Sequence, residues 1–387
     1  MPVMPMTHTE AGRRTPVHIL GAGPGGLAVA AALGERGIAS VVLERSDTVG
    51  SSWRRHYDRL HLHTTRAQSS LPGLPIPRAF GRWVARDDMV RYLETYAAHH
   101  GIEVATGVDV DRIERRDGRW VLHANGGRRP TATTVVVATG FNHTPHLPDW
   151  PGRADFTGQL LHAGDYRSAA PFRGKDVLVV GAGNTGAEIA ADLAESGAAR
   201  VRLAVRTPPH IVRRSTLGWP AQRSAILCRR LPVRLVDALA ARMAKLSVPD
   251  LAPHGLPRPD TGLYSRVLEG AIPVQDVGLI DAVRRGRVEP VAALSSFEGD
   301  KVRLADGSEP APEVVIAATG YRRGLEQLVG HLGVLDAQGR PVVHGPRTHP
   351  AAPQLHFTGY SNPISGTLRE LALDARRIAR AVARSSD

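Results

Sequence analysis

The sequence holds little cysteine, little lysine and no long apolar run. Cys228 is the only cysteine among 387 residues, which excludes an intrachain disulfide, a Cys-x-x-Cys redox pair and a cysteine-based zinc or iron–sulfur site. Redox chemistry in this chain therefore needs a bound organic cofactor, and we expect no metal site. The uncharged run 27–33 is too short to cross a bilayer, so we expect no transmembrane segment.

The amino-terminal stretch MPVMPMTHTEAGRRT lacks the apolar region of a secretory signal, which predicts a cytoplasmic protein. The formal net charge is +12, and 46 of the 49 basic residues are arginine. A basic balance is typical of proteins that bind nucleic acid or an acidic ligand. Acidic residues interleave with the arginines throughout, which favours a polyanionic cofactor and a small-molecule substrate over nucleic acid. The composition does not decide whether the chain forms a homodimer.

Two segments of the chain repeat one pattern. Val17–Arg45 and Val177–Arg206 each contain a short apolar run, a glycine-rich turn, an alanine-rich stretch and a second apolar run. This order is typical of a βαβ unit. Two further runs, Thr134–Gly140 and Val314–Gly320, both end in Ala-Thr-Gly. The sequence therefore predicts an α/β protein with two Rossmann-like dinucleotide-binding domains.

The order of these parts predicts that one domain is inserted into the other. Residues 1–170 and 292–387 would form the first domain, which ends in an amphipathic helix over 367–385. Residues 171–291 would form the second domain.

An arginine- and proline-rich insertion over 208–277 would be a cap on the substrate side of the second domain. Its segment 221–246 has a strongly basic face, so a helix on a membrane surface is the alternative to a cap.

The first glycine-rich turn is Gly21-x-Gly23-x-x-Gly26, with Glu44 at the end of the next apolar run. In such a turn the first glycine allows a tight bend, the second lets a pyrophosphate approach, and the third lets the helix lie close to the sheet. The pyrophosphate lies at the positive end of the helix dipole. A carboxylate placed like Glu44 accepts hydrogen bonds from ribose hydroxyls, which predicts a dinucleotide site.

The second turn is Gly181-x-Gly183-x-x-Gly186, and Arg206 stands where an acid is expected. An arginine there pairs with a 2′-phosphate, so this site should prefer NADPH over NADH. Arg213 would add a contact. The alternative is that Arg206 is one of many surface arginines.

Two dinucleotide sites in one chain favour hydride transfer from NADPH to a flavin, with FAD in the first site. Between the two turns lies FTGQLLHAGDY, in which Phe156, Gly158, His162 and Tyr166 form the pattern F-x-G-x-x-x-H-x-x-x-Y. A lone histidine such as His162 is more often structural than catalytic.

With these motifs the chain resembles the class B flavin-dependent monooxygenases, the flavin-containing monooxygenase family, and within it the YUCCA-type branch. The resemblance extends from Val17 to about Val382. The segments that carry it are GAGPGG, VGSSW, YDRLHLHT, FTGQLLHAGDY, FRGKDVLVVGAGNTG, LPVRLVD, PVQDVG and ATGY.

The resemblance implies roles for particular residues, with Phe156, Gly158, His162 and Tyr166 as a structural motif. FAD would be bound by Gly21, Gly23, Gly25, Gly26, Glu44, Arg45, Trp53, His63 and Val110, with the strand end Ala138, Thr139 and Gly140 and the later positions Gly359 and Leu368. NADPH would be bound by Gly181, Gly183, Asn184, Thr185, Gly186, Arg206 and Arg213, with the strand end Ala318, Thr319 and Gly320.

The catalytic candidates are His63 and Asn142. Many family members carry an asparagine near the flavin where this chain, like the YUCCA branch, has His63. This histidine would orient the flavin or the oxygenated intermediate, or be a plain cofactor contact. Tyr166-Arg167 follows the motif histidine, which argues against the Baeyer–Villiger branch.

The implied reaction reduces FAD with NADPH and then forms a C4a-(hydro)peroxyflavin that oxygenates a small molecule. The outcome would be N- or S-oxygenation, or oxidative decarboxylation of an aromatic α-keto acid. Two alternatives stay open. One is an FAD-containing NAD(P)H reductase that passes electrons to a protein or small acceptor. The other is a flavoprotein scaffold or basic nucleic-acid binder, which predicts no NADPH oxidation and salt-sensitive binding.

Overall fold

A computed structural model describes residues 15–216, 218–228 and 231–385. The amino-terminal residues 1–14 and the pair 229–230 of the basic segment lie outside this description. In the described residues the helices are α1 (Pro24–Gly34), α2 (Ser51–Arg54), α3 (Arg66–Ser69), α4 (Arg86–His99), α5 (Asn184–Glu195), α6 (Ala221–Cys228), α7 (Val233–Ser247), α8 (Leu263–Leu268), α9 (Leu279–Arg284), α10 (Leu325–Val329) and α11 (Thr367–Arg384).

The strands of the described residues form two larger sheets and several short ones. In chain order they are β1 (Val17–Leu20), β2 (Ser40–Leu43), β3 (Val104–Ala105), β4 (Val110–Arg116), β5 (Arg119–Ala124), β6 (Thr131–Ala132), β7 (Val135–Val137), β8 (Thr144–Pro145), β9 (Gln159–His162), β10 (Asp176–Val180), β11 (Arg200–Val205), β12 (Ile211–Arg213), β13 (Ser215–Thr216), β14 (Trp219–Pro220), β15 (Val274–Asp276), β16 (Glu289–Ala292), β17 (Leu294–Glu298), β18 (Lys301–Leu304), β19 (Val314–Ala317), β20 (Tyr321–Arg322) and β21 (Leu355–Phe357).

Each larger sheet has five parallel strands with its glycine-turn strand at the centre. The first sheet has the order β21-β7-β1-β2-β3, and the second has the order β16-β11-β10-β19-β9. Strands β1 and β10 are almost wholly buried, as expected for parallel strands covered on both faces. The two parallel dinucleotide-binding sheets confirm the predicted fold class.

The second sheet includes strands that lie outside the segment 171–291 in sequence. Strands β9 and β19 lie on either side of that segment in sequence, yet both belong to the second sheet, where β19 pairs with β10 and β9 pairs with β19. The boundaries at 171 and 291 therefore cut off two strands. We propose that the second unit begins before β9 and ends after β19.

The two linkers between the units run side by side. After the Ala-Thr-Gly ends of β7 and β19, strands β8 and β20 pair antiparallel. The amide of His146 donates to the carbonyl of Gly320 at 3.0 Å. The chain thus passes between the units through a short two-stranded link.

The insertion packs on the second unit through its later part. Strand β15 pairs with β12, and Val248, Leu251 and Val274 share a buried cluster with α5 and α9. Helix α7 buries only Val236 among its described side chains and leaves Leu239 43% exposed. Ile211 of β12 packs on the same cluster, α7 keeps an exposed apolar face, and the cap over 208–277 stays a prediction.

The amphipathic helix predicted over 367–385 is α11, which packs on α1 in the core of the first unit. Its Leu371 Cδ2 would lie 3.1 Å from a Cβ added at Gly25, so the two helices touch closely at the glycine turn.

We expect Ile378→Ala to destabilise the first unit by about 2–5 kcal/mol, because this side chain is fully buried between α11 and α1. The thermal midpoint of the FAD-loaded protein measures the effect. Arg380→Ala, at an exposed position of the same helix, is the control and should leave the midpoint within about 1 °C. Equal midpoints for the two variants would contradict the packing described here.

Candidate active site

The first glycine turn is shaped by backbone contacts that exclude side chains. Gly21 has φ of +102°, and a Cβ there would lie 2.7 Å from the carbonyl oxygen of Ala138. A Cβ at Gly26 would lie 1.9 Å from the carbonyl oxygen of Gly21. At Gly23, in contrast, a Cβ would meet no atom within 4 Å. The middle glycine therefore leaves room for a ligand, as a pyrophosphate at the start of α1 requires.

A cavity of about 760 Å³ opens at this turn, within the size range of sites for organic cofactors. Most residues predicted to bind FAD line it, and so does the catalytic candidate Asn142. The predicted residues in its wall are Gly21, Gly23, Gly25, Glu44, Arg45, Trp53, Val110, Ala138, Thr139, Gly140, Asn142, Gly359 and Leu368. Gly26 lies behind the turn, and His63 is outside the cavity wall.

Glu44 is fixed at the end of β2 by the backbone around it. Its carboxylate accepts hydrogen bonds from the amides of Ala22 at 2.7 Å and Ser46 at 3.0 Å. The neighbouring Arg45 lies with Nη1 3.1 Å from Nε2 of His143, and burial and this guanidinium lower the pKa of His143. The carboxylate of Glu44 and the guanidinium of Arg45 therefore lie side by side in the cavity wall.

The sequence argument missed Thr358 and Tyr360, which flank the predicted Gly359. The Oγ1 atom of Thr358 is buried and has no hydrogen-bond partner within the described residues, although Thr358 lines the cavity. The hydroxyl of Tyr360 bonds with Oγ1 of Thr139 at 2.7 Å, and burial raises the pKa of Tyr360 to about 12. No local motif distinguishes these two positions in the sequence.

The second glycine turn repeats the first. Gly181 has φ of +112° and faces the carbonyl of Ala318, which begins the Ala318, Thr319 and Gly320 strand end. A Cβ at Gly186 would lie 1.9 Å from the carbonyl oxygen of Gly181, whereas one at Gly183 would meet no atom within 4 Å. The residues therefore fit a second dinucleotide at the start of α5.

The polar residues predicted at this second turn differ in their surroundings. The side chain of Asn184 already binds the insertion, because it donates to the carbonyl of Pro273 at 3.1 Å and accepts from the amide of Gln275 at 2.7 Å. The Nε of Arg213 donates to the carbonyl of Ser247 at 2.6 Å. Arg206 is exposed just after β11 and forms no hydrogen bond or ion pair within the described residues, which leaves its guanidinium available for a phosphate.

Residues of the F-x-G-x-x-x-H-x-x-x-Y motif make packing and hydrogen-bond contacts, and their structural role stays a prediction. His162 contacts the carbonyl oxygen of Gly320 through Nε2 at 3.0 Å and accepts from the amide of Gly164 at 2.9 Å, so it supports the end of β19. Burial lowers the pKa of His162. Phe156 packs on Phe297.

The segment 57–63, within YDRLHLHT, lies along helix α5 of the second unit. Arg59 Nη1 donates to the carboxylates of Asp192 at 3.2 Å and Glu195 at 3.0 Å. The hydroxyl of Tyr166 donates to Asp192 at 2.6 Å. The two units are therefore joined along one face of α5.

His63 belongs to this contact. Its Nε2 lies 2.9 Å from Oε1 of Glu188, a carboxylate that is 3% exposed. The structure thus brings Asn142 to the cavity wall and places His63 at the contact between the units. Their assignment as catalytic residues stays a prediction.

No helix in the described ranges is long and apolar enough to span a membrane. Within residues 15–216, 218–228 and 231–385, no three histidine, cysteine, aspartate or glutamate side chains are grouped so that they could hold a metal ion.

Comparison with known proteins gives one family and several relatives. The model of the pyridine nucleotide-disulphide oxidoreductase family matches residues 18–217, which is about half of the chain. The indole-3-pyruvate monooxygenase YUCCA1 of Oryza sativa subsp. japonica is 39% identical over 322 residues, covering 82% of this chain and 79% of the relative. The probable indole-3-pyruvate monooxygenase YUCCA4 of Arabidopsis thaliana is 34% identical over 367 residues, covering 93% and 88%.

Solved structures agree over nearly the whole chain. The flavin-containing monooxygenase from Stenotrophomonas maltophilia superposes with a TM-score of 0.73 at 26% identity, covering 97% of this chain and 99% of that one. An open structure of cyclohexanone monooxygenase has a TM-score of 0.72 at 17% identity, covering 97% and 88%, and shares the fold.

We expect Gly26→Ala to reduce the bound FAD by roughly tenfold or more, because its Cβ would overlap the carbonyl of Gly21 and push α1 off the turn. The ratio of flavin absorbance to protein absorbance in the purified protein measures the loss. Gly34→Ala, at the other end of α1, meets no atom within 4 Å and should keep its FAD. Full FAD in Gly26→Ala would refute this account of the turn.

We expect Arg206→Ala to lower kcat/KM for NADPH by about 10- to 100-fold and to leave kcat/KM for NADH unchanged, because only NADPH carries the 2′-phosphate. Steady-state rates with the two coenzymes measure the difference. Arg200→Ala is the matched control, since Arg200 starts the same strand and pairs with Glu289. An equal loss with both coenzymes would show that Arg206 does not read the phosphate.

Proposed function

The chain belongs to the class B flavin-dependent monooxygenases, within the pyridine nucleotide-disulphide oxidoreductase family, and is YUCCA-like; from this membership we propose that it oxidatively decarboxylates an aromatic α-keto acid. Its cofactors are FAD and NADP(H), and it acts on a small molecule. The proposal is supported by one observation above all. Relatives that are 34–39% identical over about four fifths or more of the chain are named for indole-3-pyruvate, an aromatic α-keto acid.

The electrostatics beside the first unit also favour an acidic substrate. A second cavity of about 360 Å³ lies between the region around α3 and the start of α6. Its described lining contains no acidic side chain and four arginines, which are Arg66, Arg78, Arg82 and Arg223. A positively charged concave surface attracts a carboxylate and repels a protonated amine.

This arginine-lined cavity is connected to the wall of the flavin cavity. Thr65, in its lining, donates its amide to Oε1 of Gln222 at 3.0 Å. The Nε2 atom of Gln222 donates to the carbonyl of Ser365 at 2.7 Å, just before α11. Thr367 and Leu368 of α11 line the flavin cavity. An acid held by the arginines would therefore lie next to the elements that enclose the flavin.

When bound, FAD supplies the activation of O2 and NADPH supplies the two electrons. The balanced reaction converts one α-keto acid, O2, NADPH and a proton into an acid shorter by one carbon, CO2, NADP⁺ and water. The residues of the chain itself would bind the cofactor and cover it. The turn at Gly23 and the start of α1 would hold the pyrophosphate, and Trp53, Leu368 and Leu371 would place apolar surface against the cofactor.

We expect the FAD-loaded protein to convert indole-3-pyruvate with one CO2 and one shortened acid formed for each NADPH oxidised. Mass spectrometry after reaction under heavy-isotope O2 should find one labelled oxygen in the new carboxyl group. A tertiary amine and a thioether are the comparison substrates, and they should leave hydrogen peroxide as the main product. Efficient oxygenation of either, with only peroxide from the keto acid, would overturn the proposed substrate class.

A further inference from the structure

Glu188 is a buried carboxylate that the glycine-turn motif does not require. It lies on α5, two residues after Gly186, and is 3% exposed. Its position is about 6 Å along the helix axis from Asn184, the first residue of α5. A buried carboxylate is costly unless neighbouring groups compensate its charge. The groups around Glu188 therefore indicate what compensates the charge of its carboxylate.

Those surroundings come from the first unit and from the insertion. Nε2 of His63 lies 2.9 Å from Oε1 of Glu188. Burial and the hydrogen-bonding carboxylate of Glu188 raise the pKa of Tyr57 well above its ordinary value, so the Tyr57 hydroxyl stays protonated beside it. Burial lowers the pKa of Arg214, and attraction to Glu188 opposes that shift. Burial, with the charges of Arg167 and Arg86, lowers the pKa of His56 to about 4, against the opposing influence of Glu188, so His56 is a neutral neighbour of this carboxylate.

The segment that holds Tyr57 and His63 also forms part of the flavin cavity. Just before it, Trp53, Arg55 and His56 line the cavity. Just after it, Thr64 lies against Gly366, where an added Cβ would be 2.8 Å from the Thr64 methyl, at the start of α11. Within the described residues, Nδ1 of His63 is buried and has no hydrogen-bond partner. Oε1 of Glu188 also has no hydrogen-bond partner within the described residues, so its 2.9 Å approach to Nε2 of His63 is a contact at ion-pair distance and not a formed hydrogen bond.

We propose that Glu188 is a positioning residue that couples the NADPH site to the flavin cavity by holding His63 and Tyr57. The start of α5 binds the dinucleotide phosphates about one turn from this carboxylate, well inside the range of electrostatic interaction. A shift of α5 on binding NADP⁺ would therefore move the segment 53–65. The surroundings of the flavin, and so its absorbance spectrum, would change with it. The same linkage means that the flavin side changes the affinity for NADP⁺.

The test uses the FAD-loaded protein and titrates NADP⁺ while the flavin absorbance spectrum is recorded. The wild type should give a difference spectrum and a Kd for NADP⁺. We expect Glu188→Gln, which keeps the size of the side chain and removes its charge, to reduce the amplitude of the difference spectrum, because the segment 53–65 loses an electrostatic contact with α5. Its FAD content should stay at the wild-type level. The expected effect does not depend on which substrate is oxidised.

His63→Gln and the double variant decide whether the two residues act as one unit. We expect His63→Gln to resemble Glu188→Gln and the double variant to be no weaker than either single variant. Tyr57→Phe removes only one hydroxyl and keeps the proposal testable if Glu188→Gln does not fold. It should also reduce the amplitude of the difference spectrum.

Glu195→Gln is the matched control, because Glu195 lies on the same helix and pairs with Arg59 at the exposed rim. It should keep the wild-type spectrum and Kd. The proposal fails if Glu188→Gln behaves like Glu195→Gln in both readouts, or if the losses of the single variants multiply in the double variant. A lower thermal midpoint with an unchanged difference spectrum would also overturn it, since that is the result of a merely structural role.

Discussion

The absence of a side chain at two pairs of glycines is the constraint on which this structure depends. Gly26 lies directly under the carbonyl of Gly21, and Gly186 lies in the same way under Gly181. Each pair brings a helix against the end of a central parallel strand, at the point where the strand order reverses. The Ala-Thr-Gly ends of β7 and β19 close each turn from the neighbouring strand. Both phosphate-binding positions follow from these contacts.

Helix α5 has a second role, contact with the first unit, that its glycine motif does not predict. Its glycine end forms the predicted dinucleotide turn, while Glu188, Asp192 and Glu195 face the first unit at positions separated by one helical turn or slightly less. The segment 57–63 supplies the partners. One helix thus carries the predicted coenzyme turn and joins the two units. The ion pair of Arg59 with Glu195 at the exposed rim contributes little to stability, and the buried carboxylate of Glu188 carries the larger electrostatic cost.

The sequence predicted the parts of the fold that local patterns determine. Glycine spacing located both turns, and the residue after each following strand distinguished Glu44 from Arg206. The edge strand β9 and its neighbour β19 could not be placed, because their pairing joins residues more than 150 positions apart and no local signal encodes it. The same limit applies to Thr358, which is recognisable only when its unpartnered hydroxyl is seen in the cavity wall. His63 was found as an unusual residue, and its contact with Glu188 needed the tertiary structure.

The two sites differ in how the chain covers them, although their turns are nearly identical. Helix α11 lies on α1, and its residues Leu368 and Leu371 enclose the first site in a cavity of about 760 Å³. At the second site Asn184 is tied to the insertion, and Arg206 extends into solvent after β11. The first site is therefore more deeply covered by the chain than the second, where the predicted phosphate contact Arg206 is exposed. This asymmetry matches a resident FAD and an exchanging NADP(H), as the reduction of one by the other requires.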